Sequence, residues 1–210
     1  MSVLGILGAS GHGKVVAEVA LAAGWDEVVF YDDAWPNKAQ IGRWQIAGRQ
    51  QDLLSALGSL NGVLVAIGHN ATRQDKLEQF QAAGAEIVSL VHPVATVSRS
   101  ARLGAGSVVM AGAVVNADAD IGRGAILNTA CSVDHDCVLG AAVHVSPGAR
   151  LAGDVQVGSR SWIGIGASVR QGVRIGTGVI VGAGAAVVSD VADDLTVVGV
   201  PAKPMIKAKG

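Results

Sequence analysis

The chain has 210 residues, with 16 Lys and Arg against 17 Asp and Glu, and therefore a formal net charge of -1. This near balance argues against nucleic acid or an anionic membrane as a partner, because both select clustered positive charge. Half of the residues are hydrophobic, yet no run of 18 apolar residues occurs and no amino-terminal signal peptide is evident. With two cysteines and no disulfide framework, we expect a cytoplasmic protein without membrane insertion.

The first 90 residues have the alternating pattern of an α/β domain. Apolar strands are predicted over 3–7, 28–31, 63–67 and 87–90, and helices over 14–23, 52–57 and 72–83. Strands that alternate with helices predict a small parallel sheet, with ligands bound at the carboxyl ends of its strands.

From residue 91 the pattern changes to a period of six. Every sixth residue from Val91 to Val187 is Val, Leu or Ile, and a small residue follows four positions after each. Neither a helix nor a hairpin has this period, whereas a β-helix built of three hexads per coil does. Aromatic residues are only 3% of the chain and glycines number 29, as a narrow core of small aliphatic groups requires. We therefore predict a β-helix domain over 91–192 and a capping tail over 193–210.

The hexads, in the form [LIV]-G-x-x-[small]-x, resemble those of the hexapeptide-repeat acyltransferases. The opening Gly-Ala-Ser-Gly-His-Gly turn, the Val91-His92-Pro93 segment and the stretch 128–149 resemble sugar acetyltransferases of the sialic-acid O-acetyltransferase type. Within that group, the chain is most similar to bacterial nucleotide-amino-sugar N-acetyltransferases, such as those acting on UDP-4-amino sugars. The resemblance implies a Rossmann-like amino-terminal domain, a left-handed parallel β-helix, a homotrimer, and acetyl-CoA as cosubstrate with no permanently bound cofactor.

His135 is the candidate catalytic base. An acceptor amine must lose a proton as it attacks a thioester, and an imidazole accepts protons near neutral pH. Asp134 and Asp136 flank this histidine, and a carboxylate beside an imidazole orients it and raises its basicity. The resemblance assigns the base to His135 and the supporting carboxylate to Asp136, where the family carries Glu.

The resemblance also supplies candidate ligand contacts. For acetyl-CoA these are His144, Gly153, Ile165 and Ala183, with Gly153 offering its N–H to the thioester oxygen and Ala183 standing where the family has glycine. For the nucleotide-linked sugar they are Ser10, Gly11, His12, Asp32, Asp33 and Gly68. Lys203 and Lys207 could meet CoA phosphates or simply form a basic tail.

The Gly-rich turn allows other interpretations. Gly8 to Lys14 satisfies GxxxxGK, but Val15 stands where a P-loop needs a hydroxyl for Mg²⁺, and the turn is not GxGxxG. These departures exclude NTP hydrolysis and NAD binding, while a Gly-rich turn before a helix still forms an anion site from backbone N–H groups.

Three alternatives to the assigned chemistry remain open. A metal site of His135, Cys137 and His144 is disfavoured, since Cys137 should point inward and His135 outward, so no metal is predicted. Acetylation of a hydroxyl, on a sialic acid or related sugar, could use the same residues. A catalytically inert β-helix that binds metabolites or partners must also be considered, because a fold does not dictate a function.

Overall fold

The computed structural model of the chain describes residues 1–205 and has two parts that follow one another in sequence. The amino-terminal part contains five strands, three α-helices and a short 3-10 helix. Its elements are β1 Val3–Leu7, α1 Gly11–Ala22, β2 Glu27–Tyr31, β3 Gln40–Ile41, β4 Trp44–Gly48, α2 Gln50–Ser55, the 3-10 helix Leu57–Ser59, β5 Gly62–Val65 and α3 Asn70–Ala82. No helix within residues 1–205 combines the length and the apolar character needed to cross a bilayer.

The amino-terminal sheet has the order β3-β4-β2-β1-β5. Strand β1 lies between β2 and β5, and all three are parallel, so their carboxyl ends meet at one edge. The predicted parallel pairing is confirmed for β4, β2, β1 and β5, whereas β3 pairs with β4 as an antiparallel hairpin at one edge. The two-residue turn Gly42-Arg43, with φ +56 at Gly42, joins these strands and is the signal that the sequence analysis missed.

The predicted fourth strand over 87–90 was also wrong. Ile87 makes only an isolated bridge with Val63, and Leu90 begins the first strand of the second part. The N–H of Leu90 donates to the carbonyl of Ser107, which lies one coil further along the chain. The apolar residues that signalled this strand are therefore shared between the two parts.

The second part is a parallel β-helix with seventeen two-residue strands, one for each predicted hexad. These are β6 Leu90–Val91, β7 Thr96–Val97, β8 Arg102–Leu103, β9 Val108–Val109, β10 Val114–Val115, β11 Asp120–Ile121, β12 Ile126–Leu127, β13 Ser132–Val133, β14 Val138–Leu139, β15 His144–Val145, β16 Arg150–Leu151, β17 Gln156–Val157, β18 Trp162–Ile163, β19 Ser168–Val169, β20 Arg174–Ile175, β21 Ile180–Val181 and β22 Ala186–Val187. The second residue of every strand is the predicted aliphatic position, which confirms the six-residue period.

Three sheets form the faces of the β-helix. The first runs from β7 through β10 and β13 to β22, the second from β8 through β11 and β14 to β20, and the third from β6 through β9 and β12 to β21. Successive strands of a sheet pair 18 residues apart, as Ser132 pairs with Arg150. We call the turn that contains 134–137 the first corner, the turn that contains 140–143 the second and the turn that contains 146–149 the third, together with their equivalents in other coils.

The interior of the β-helix contains the aliphatic hexad residues and the small residues four positions after them. Val133 and Leu151 stack in adjacent coils and are almost fully buried, as are Cys131 and Cys137. Because a triangular prism of this width cannot hold rings, its core consists of Val, Ile, Leu, Ala and Cys side chains. Both cysteines are free and act as small core residues.

The amino-terminal part packs on the outside of the third sheet. The outward side chains Leu90, Val108 and Ile126 belong to the same buried cluster as Leu4 and Phe30 of the amino-terminal sheet. The two parts therefore share a core. The outer face of the third sheet is the surface against which the amino-terminal part packs.

Past residue 192 the third sheet gains two further strands. Strand β23 (Thr196–Val198) pairs with β21 and is followed antiparallel by β24 (Lys203–Pro204). The division into 1–90, 91–192 and 193–210 stays a prediction, and residues 206–210, with Lys207, lie outside the described residues.

Glycines serve two different purposes in the coils. A Cβ atom added to Gly158 would lie 2.5 Å from backbone atoms of Gly176 and Thr177 in the next coil, so this position permits close stacking. Gly166 has φ +64 but open space around it, and alanine occupies the equivalent conformation at Ala142. Glycine is needed at 158 because the next coil leaves no space for a side chain. At 166 glycine is favoured because the backbone is left-handed.

We expect Gly158→Ala to destabilise the protein more than its matched control Gly166→Ala. The control adds only the strain of a left-handed residue, about 1–2 kcal/mol. Gly158→Ala must also separate two coils, and we expect it to lower the free energy of unfolding by about 3 kcal/mol or more. Denaturant unfolding followed by circular dichroism measures both, and equal losses would contradict the close-stacking explanation.

Candidate active site

His135 and Asp136 occupy the first corner of the coil that begins at β12. His135 exposes 60% of its side chain, as predicted, and its Nδ1 lies 2.7 Å from Oδ2 of Asp136. Asp136 has φ +61, the left-handed conformation that one residue of each corner adopts. In this conformation the Asp side chain reaches the neighbouring ring, although it is shorter than the Glu that the family carries here.

A second carboxylate holds the backbone of the same corner. Oδ1 of Asp134 accepts hydrogen bonds from the N–H of His135 (2.8 Å) and from Nδ2 of Asn116, one coil earlier (2.9 Å). These bonds hold the pKa of Asp134 below its usual value. Asp134 therefore orients the corner, while Asp136 binds the imidazole itself.

The imidazole lies over Gly153, which is 18 residues later and directly below it in the next coil. A Cβ atom at Gly153 would lie 2.5 Å from Nε2 and Cε1 of His135, so a larger residue here would displace the ring from its position. The structure thus brings together two residues that the sequence analysis assigned separately, the candidate base and the candidate donor to the thioester oxygen.

The charges around His135 favour its protonated form. The hydrogen bond to Asp136 raises the pKa of His135 above its usual value, against slight desolvation, and the charges of Asp134, Asp136 and Asp154 act in the same direction. With Nδ1 bound to Asp136, Nε2 is the nitrogen available to accept a proton from a substrate.

The predicted nucleotide-sugar residues partly converge on a cavity at the carboxyl ends of β1, β2 and β5. The cavity has a volume of about 340 Å³. It is lined by Leu7, Gly8, Ser10, Asp32, Asp33, Ala66, Ile67, Gly68 and Lys76. Of the six predicted residues, Gly11 and His12 do not line it. Lys76 was missed, although a cation two turns into the helix that follows Gly68 is a usable signal for an anion site.

The two aspartates of this cavity hold its backbone in place. Oδ2 of Asp32 accepts a hydrogen bond from the N–H of Ala9 in the Gly-rich turn (2.7 Å), and Oδ1 of Asp33 accepts one from the N–H of Gln50 (3.0 Å). The turn is tight, since a Cβ atom at Gly13 would overlap the carbonyl oxygen of Gly8. Helix α1 begins immediately after it, with its N-terminus directed to the cavity edge.

His12 lies beside His144, which the sequence analysis assigned to a different ligand. Their ring centroids are 6.5 Å apart, and His144 lies in β15 on the third sheet, only 6% exposed, against Trp162. Burial, with the charge of Arg73 adding to it, lowers the pKa of His12 to about 4 and that of His144 to about 3. Both imidazoles are therefore uncharged at neutral pH.

The hydrogen bonds of Asn128 identify the tautomer of His144. Oδ1 of Asn128 accepts from the N–H of Thr129, so its Nδ2 faces Nε2 of His144 at 3.1 Å and donates to it. Nε2 is then the acceptor and Nδ1 carries the proton. That buried Nδ1–H, like Nε2 of His12, has no partner within residues 1–205.

The candidate acetyl-CoA residues do not form one site within a chain. Ile165, more than half exposed, and Ala183 lie one coil apart at the third corner. Gly153 lies at the first corner, which the whole width of the first sheet separates from the third. Lys203 is exposed in β24.

Other parts of the described chain offer no competing chemistry. Burial raises the pKa of Cys131 to about 12 and also raises that of Cys137, so neither thiol is an available nucleophile. No group of three His, Cys, Asp or Glu residues within 1–205 could hold a metal ion. A wider groove of about 710 Å³ runs along the second sheet beside Gln156 and Arg174, but it contains none of the predicted residues.

Comparison with known proteins identifies the family. Residues 3–80 match the family model of the PglD N-terminal domain, and residues 154–188 match the bacterial transferase hexapeptide (six repeats). The structure of the acetyltransferase domain of PglB from Neisseria gonorrhoeae, in complex with acetyl coenzyme A, is 47% identical, with a TM-score of 0.92 over 97% of this chain and 98% of that one. The chain belongs to this family of bacterial hexapeptide-repeat acetyltransferases.

Two further members of this acetyltransferase family are named for amino-sugar substrates. A histidine-to-asparagine variant of perosamine N-acetyltransferase from Caulobacter crescentus, in complex with CoA and GDP-perosamine, is 43% identical, with a TM-score of 0.93 over 99% of this chain and 98% of that one. UDP-N-acetylbacillosamine N-acetyltransferase of Bacillus subtilis is 36% identical over 113 residues, which is about half of either protein. The predicted family and fold class are confirmed, while the roles of individual residues stay predictions.

We expect Asp136→Asn to move the acid limb of the pH profile of kcat/KM to lower pH. Asp136 raises the pKa of His135, so its removal lowers the pH at which the neutral base becomes protonated. The weaker base should also reduce the plateau rate by about tenfold or more. Asp154→Asn is the matched control, because Asp154 has nearly the same backbone conformation (φ +59) but acts on His135 only through its charge. An acid limb that shifts equally in both variants, or in neither, would contradict the role of Asp136.

Proposed function

We propose that this acetyltransferase uses acetyl-CoA to acetylate the free amine of a nucleotide-linked amino sugar, in the cytoplasm, during the synthesis of surface glycans. The observation that carries the proposal is the exposed imidazole of His135, bound through Nδ1 to Asp136 and seated on Gly153, in a chain of this family. The named amino-sugar N-acetyltransferases among its relatives support an amine rather than a hydroxyl as acceptor.

The geometry of His135 supports direct transfer from the thioester to the amine. The amine nitrogen attacks the thioester carbonyl carbon and Nε2 of His135 takes its proton, giving a tetrahedral intermediate. Collapse of this intermediate breaks the C–S bond, and the imidazolium returns the proton to the departing thiolate of CoA. No residue needs to be acetylated, which agrees with the burial of both cysteines.

Gly153 has the position required to stabilise the intermediate. It lies against the imidazole, and its N–H donates no hydrogen bond to another residue of 1–205. A free backbone N–H beside the base suits the negative oxygen that develops on the thioester carbonyl. In this proposal Gly153 both makes room for the base and donates to the oxyanion.

The cavity of the amino-terminal sheet is proposed to bind the nucleotide. Backbone N–H groups at the start of α1, near Ser10 and Gly11, and the cation of Lys76 suit a diphosphate, while Asp32 and Asp33 suit the hydroxyl groups of a nucleoside. The perosamine relative binds GDP-perosamine and CoA together, which supports two adjoining sites for two such ligands.

A homotrimer is part of the proposal. The candidate acetyl-CoA residues are divided between the first corner, with His135 and Gly153, and the third corner, with Ile165 and Ala183. One chain cannot bring the two corners to one thioester, whereas two parallel copies related by a threefold axis can place the first corner of one beside the third corner of the next. The cytoplasm fits, since both cysteines are reduced and both substrates are cytoplasmic metabolites.

The test of the function is release of CoA thiol with a panel of nucleotide-linked sugars that carry either an amine or only hydroxyl groups. We expect turnover with an amine and a loss of about 10²-fold to 10⁴-fold in kcat for His135→Asn, which keeps a similar size but removes the base. His92→Asn is the control, because within residues 1–205 the His92 side chain only accepts a hydrogen bond from the nearby N–H of Val94. Turnover confined to hydroxyl acceptors would overturn the N-acetyltransferase proposal, and binding without turnover would favour an inert β-helix.

The shared site makes a separate prediction about mixtures of inactive chains. Chains with His135→Ala keep the third corner, and chains with Ile165→Asp keep the first, so trimers assembled from both contain some complete sites. We expect a mixture refolded together to regain a measurable fraction of wild-type activity, while the two preparations mixed without refolding do not. Equal inactivity of both mixtures, or a monomer in sedimentation experiments, would contradict the trimer.

A further inference from the structure

Arg73, in α3, is a buried cation with a complete set of hydrogen bonds. It is 1% exposed, and each of its five N–H groups has an acceptor. Nε donates to the carbonyl of Gly124 (2.7 Å), and Nη1 donates to the carbonyls of Ile67 (2.9 Å) and Gly68 (3.0 Å). Nη2 donates to Oδ1 of Asn70 and to the carbonyl of Ala142, both at 2.8 Å.

No carboxylate neutralises this charge. None of the ion pairs within residues 1–205 includes Arg73. Burial lowers its pKa to about 10, so the guanidinium is still protonated at neutral pH. An unpaired charge is costly to bury, and here five dipoles replace its water. A neutral apolar residue would fill the space without this cost, so the position calls for an explanation other than packing.

The acceptors come from both parts of the chain. Ile67 and Gly68 line the candidate nucleotide cavity at the end of β5. Gly124 and Ala142 occupy equivalent positions of the second corner in consecutive coils, with φ +64 and +54. One guanidinium therefore connects the edge of the cavity to the side of the β-helix.

Asn70 extends the same arrangement by one coil. Its Nδ2 donates to the carbonyls of Arg160 (2.9 Å) and Ser161 (3.1 Å), while its Oδ1 accepts from Arg73. Residues 124, 142 and 160 follow one another at the 18-residue period. The first turn of α3 thus contacts three successive coils and sets the height of the amino-terminal part along the β-helix axis.

We propose that Arg73 is a positioning residue for the transfer reaction, because its five bonds hold the nucleotide-binding end of β5 at one height on the β-helix. This inference rests on the proposed function. The sugar amine must meet a thioester held by the corners of the β-helix, and a shift of about 1 Å between two reacting groups can cost about 100-fold in rate. Lys76 is three residues after Arg73 in α3, so its position in the cavity depends on the same helix.

Arg73→Lys and Arg73→Met separate geometry from charge. Lysine keeps the cation but has at most three donors for five acceptors, so we expect kcat to fall about tenfold or more while KM for both substrates and the affinity for UDP, GDP and dTDP stay within about threefold. Methionine also removes the positive charge beside the cavity, so it should lower kcat similarly and in addition weaken binding of the nucleotide diphosphate. Arg43→Met is the control, since Arg43 is exposed, is paired with Glu18 and does not line the candidate nucleotide cavity.

Two further measurements keep the inference open to refutation. Asn70→Ala keeps Arg73 and removes the bonds to the next coil, so it should lower kcat by a smaller factor even if the Arg73 variants do not fold. Deuterium uptake over residues 66–72 should rise in Arg73→Lys, whether or not the wild type acetylates any amine. The positioning role would be overturned if Arg73→Lys had the same kcat as the wild type. It would also be overturned if the fall in kcat were fully explained by a smaller fraction of folded protein. An inactive wild type with the expected uptake would instead overturn the proposed function alone.

Discussion

The hydrogen bonds between backbones that lie 18 residues apart are the constraint on which the rest of the molecule depends. The N–H of Ser132 donates to Ala149 in the next coil, and Arg150 donates to Ala167 in the one after. This repeat fixes the distance between coils, and glycines such as Gly158 allow the corners to stack that closely. Because each coil repeats the last, a side chain is placed by its position in the hexad and by its neighbours one coil above and below.

The candidate catalytic group follows directly from that stacking. His135 stands at a corner, between Ala117 one coil before and Gly153 one coil after, and its ring lies across the place where a larger residue at 153 would put its side chain. Asp136 reaches the ring because the corner requires a left-handed residue at its own position. The left-handed conformation that each corner requires thereby holds the carboxylate of Asp136 within hydrogen-bond distance of the imidazole.

The same stacking also forms the regular surface of the β-helix against which the amino-terminal part packs. The third sheet presents Val108 and Ile126 to its core, and the second corner presents a column of carbonyls to Asn70 and Arg73. The apolar contact holds the two parts together without specifying their relative height, since hydrophobic burial is not directional. The hydrogen bonds of α3 supply the missing specificity. Burial, with the charge of Arg73 adding to it, disfavours the charged forms of His12 and His144.

The sequence predicted the secondary structure of the β-helix more completely than that of the amino-terminal part. The inward aliphatic position of all seventeen strands of the β-helix could be predicted, because each hexad satisfies its own core position and the hydrogen bonds follow from the period. The hairpin of β3 and β4 was missed although Gly42-Arg43 is a hairpin turn. The absence of a strand over 87–90 could not be predicted, since a short strand depends on which neighbour accepts its hydrogen bonds. The partnership of His135 with Asp136 and the cavity at the strand ends followed from local motifs.

By itself, the sequence determined the six-residue period, the identity of the inward residues, the family and the corner that carries His135, because these depend on neighbours along the chain or on a strict repeat. Tertiary structure alone decided that His12 and His144 meet, that Gly153 lies beneath the imidazole, and that Arg73 joins Gly68 to Gly124 and Ala142. These contacts join residues that are distant in sequence, and no local preference specifies them. They exist because the coils stack at a fixed distance and the amino-terminal sheet packs on one face of that stack.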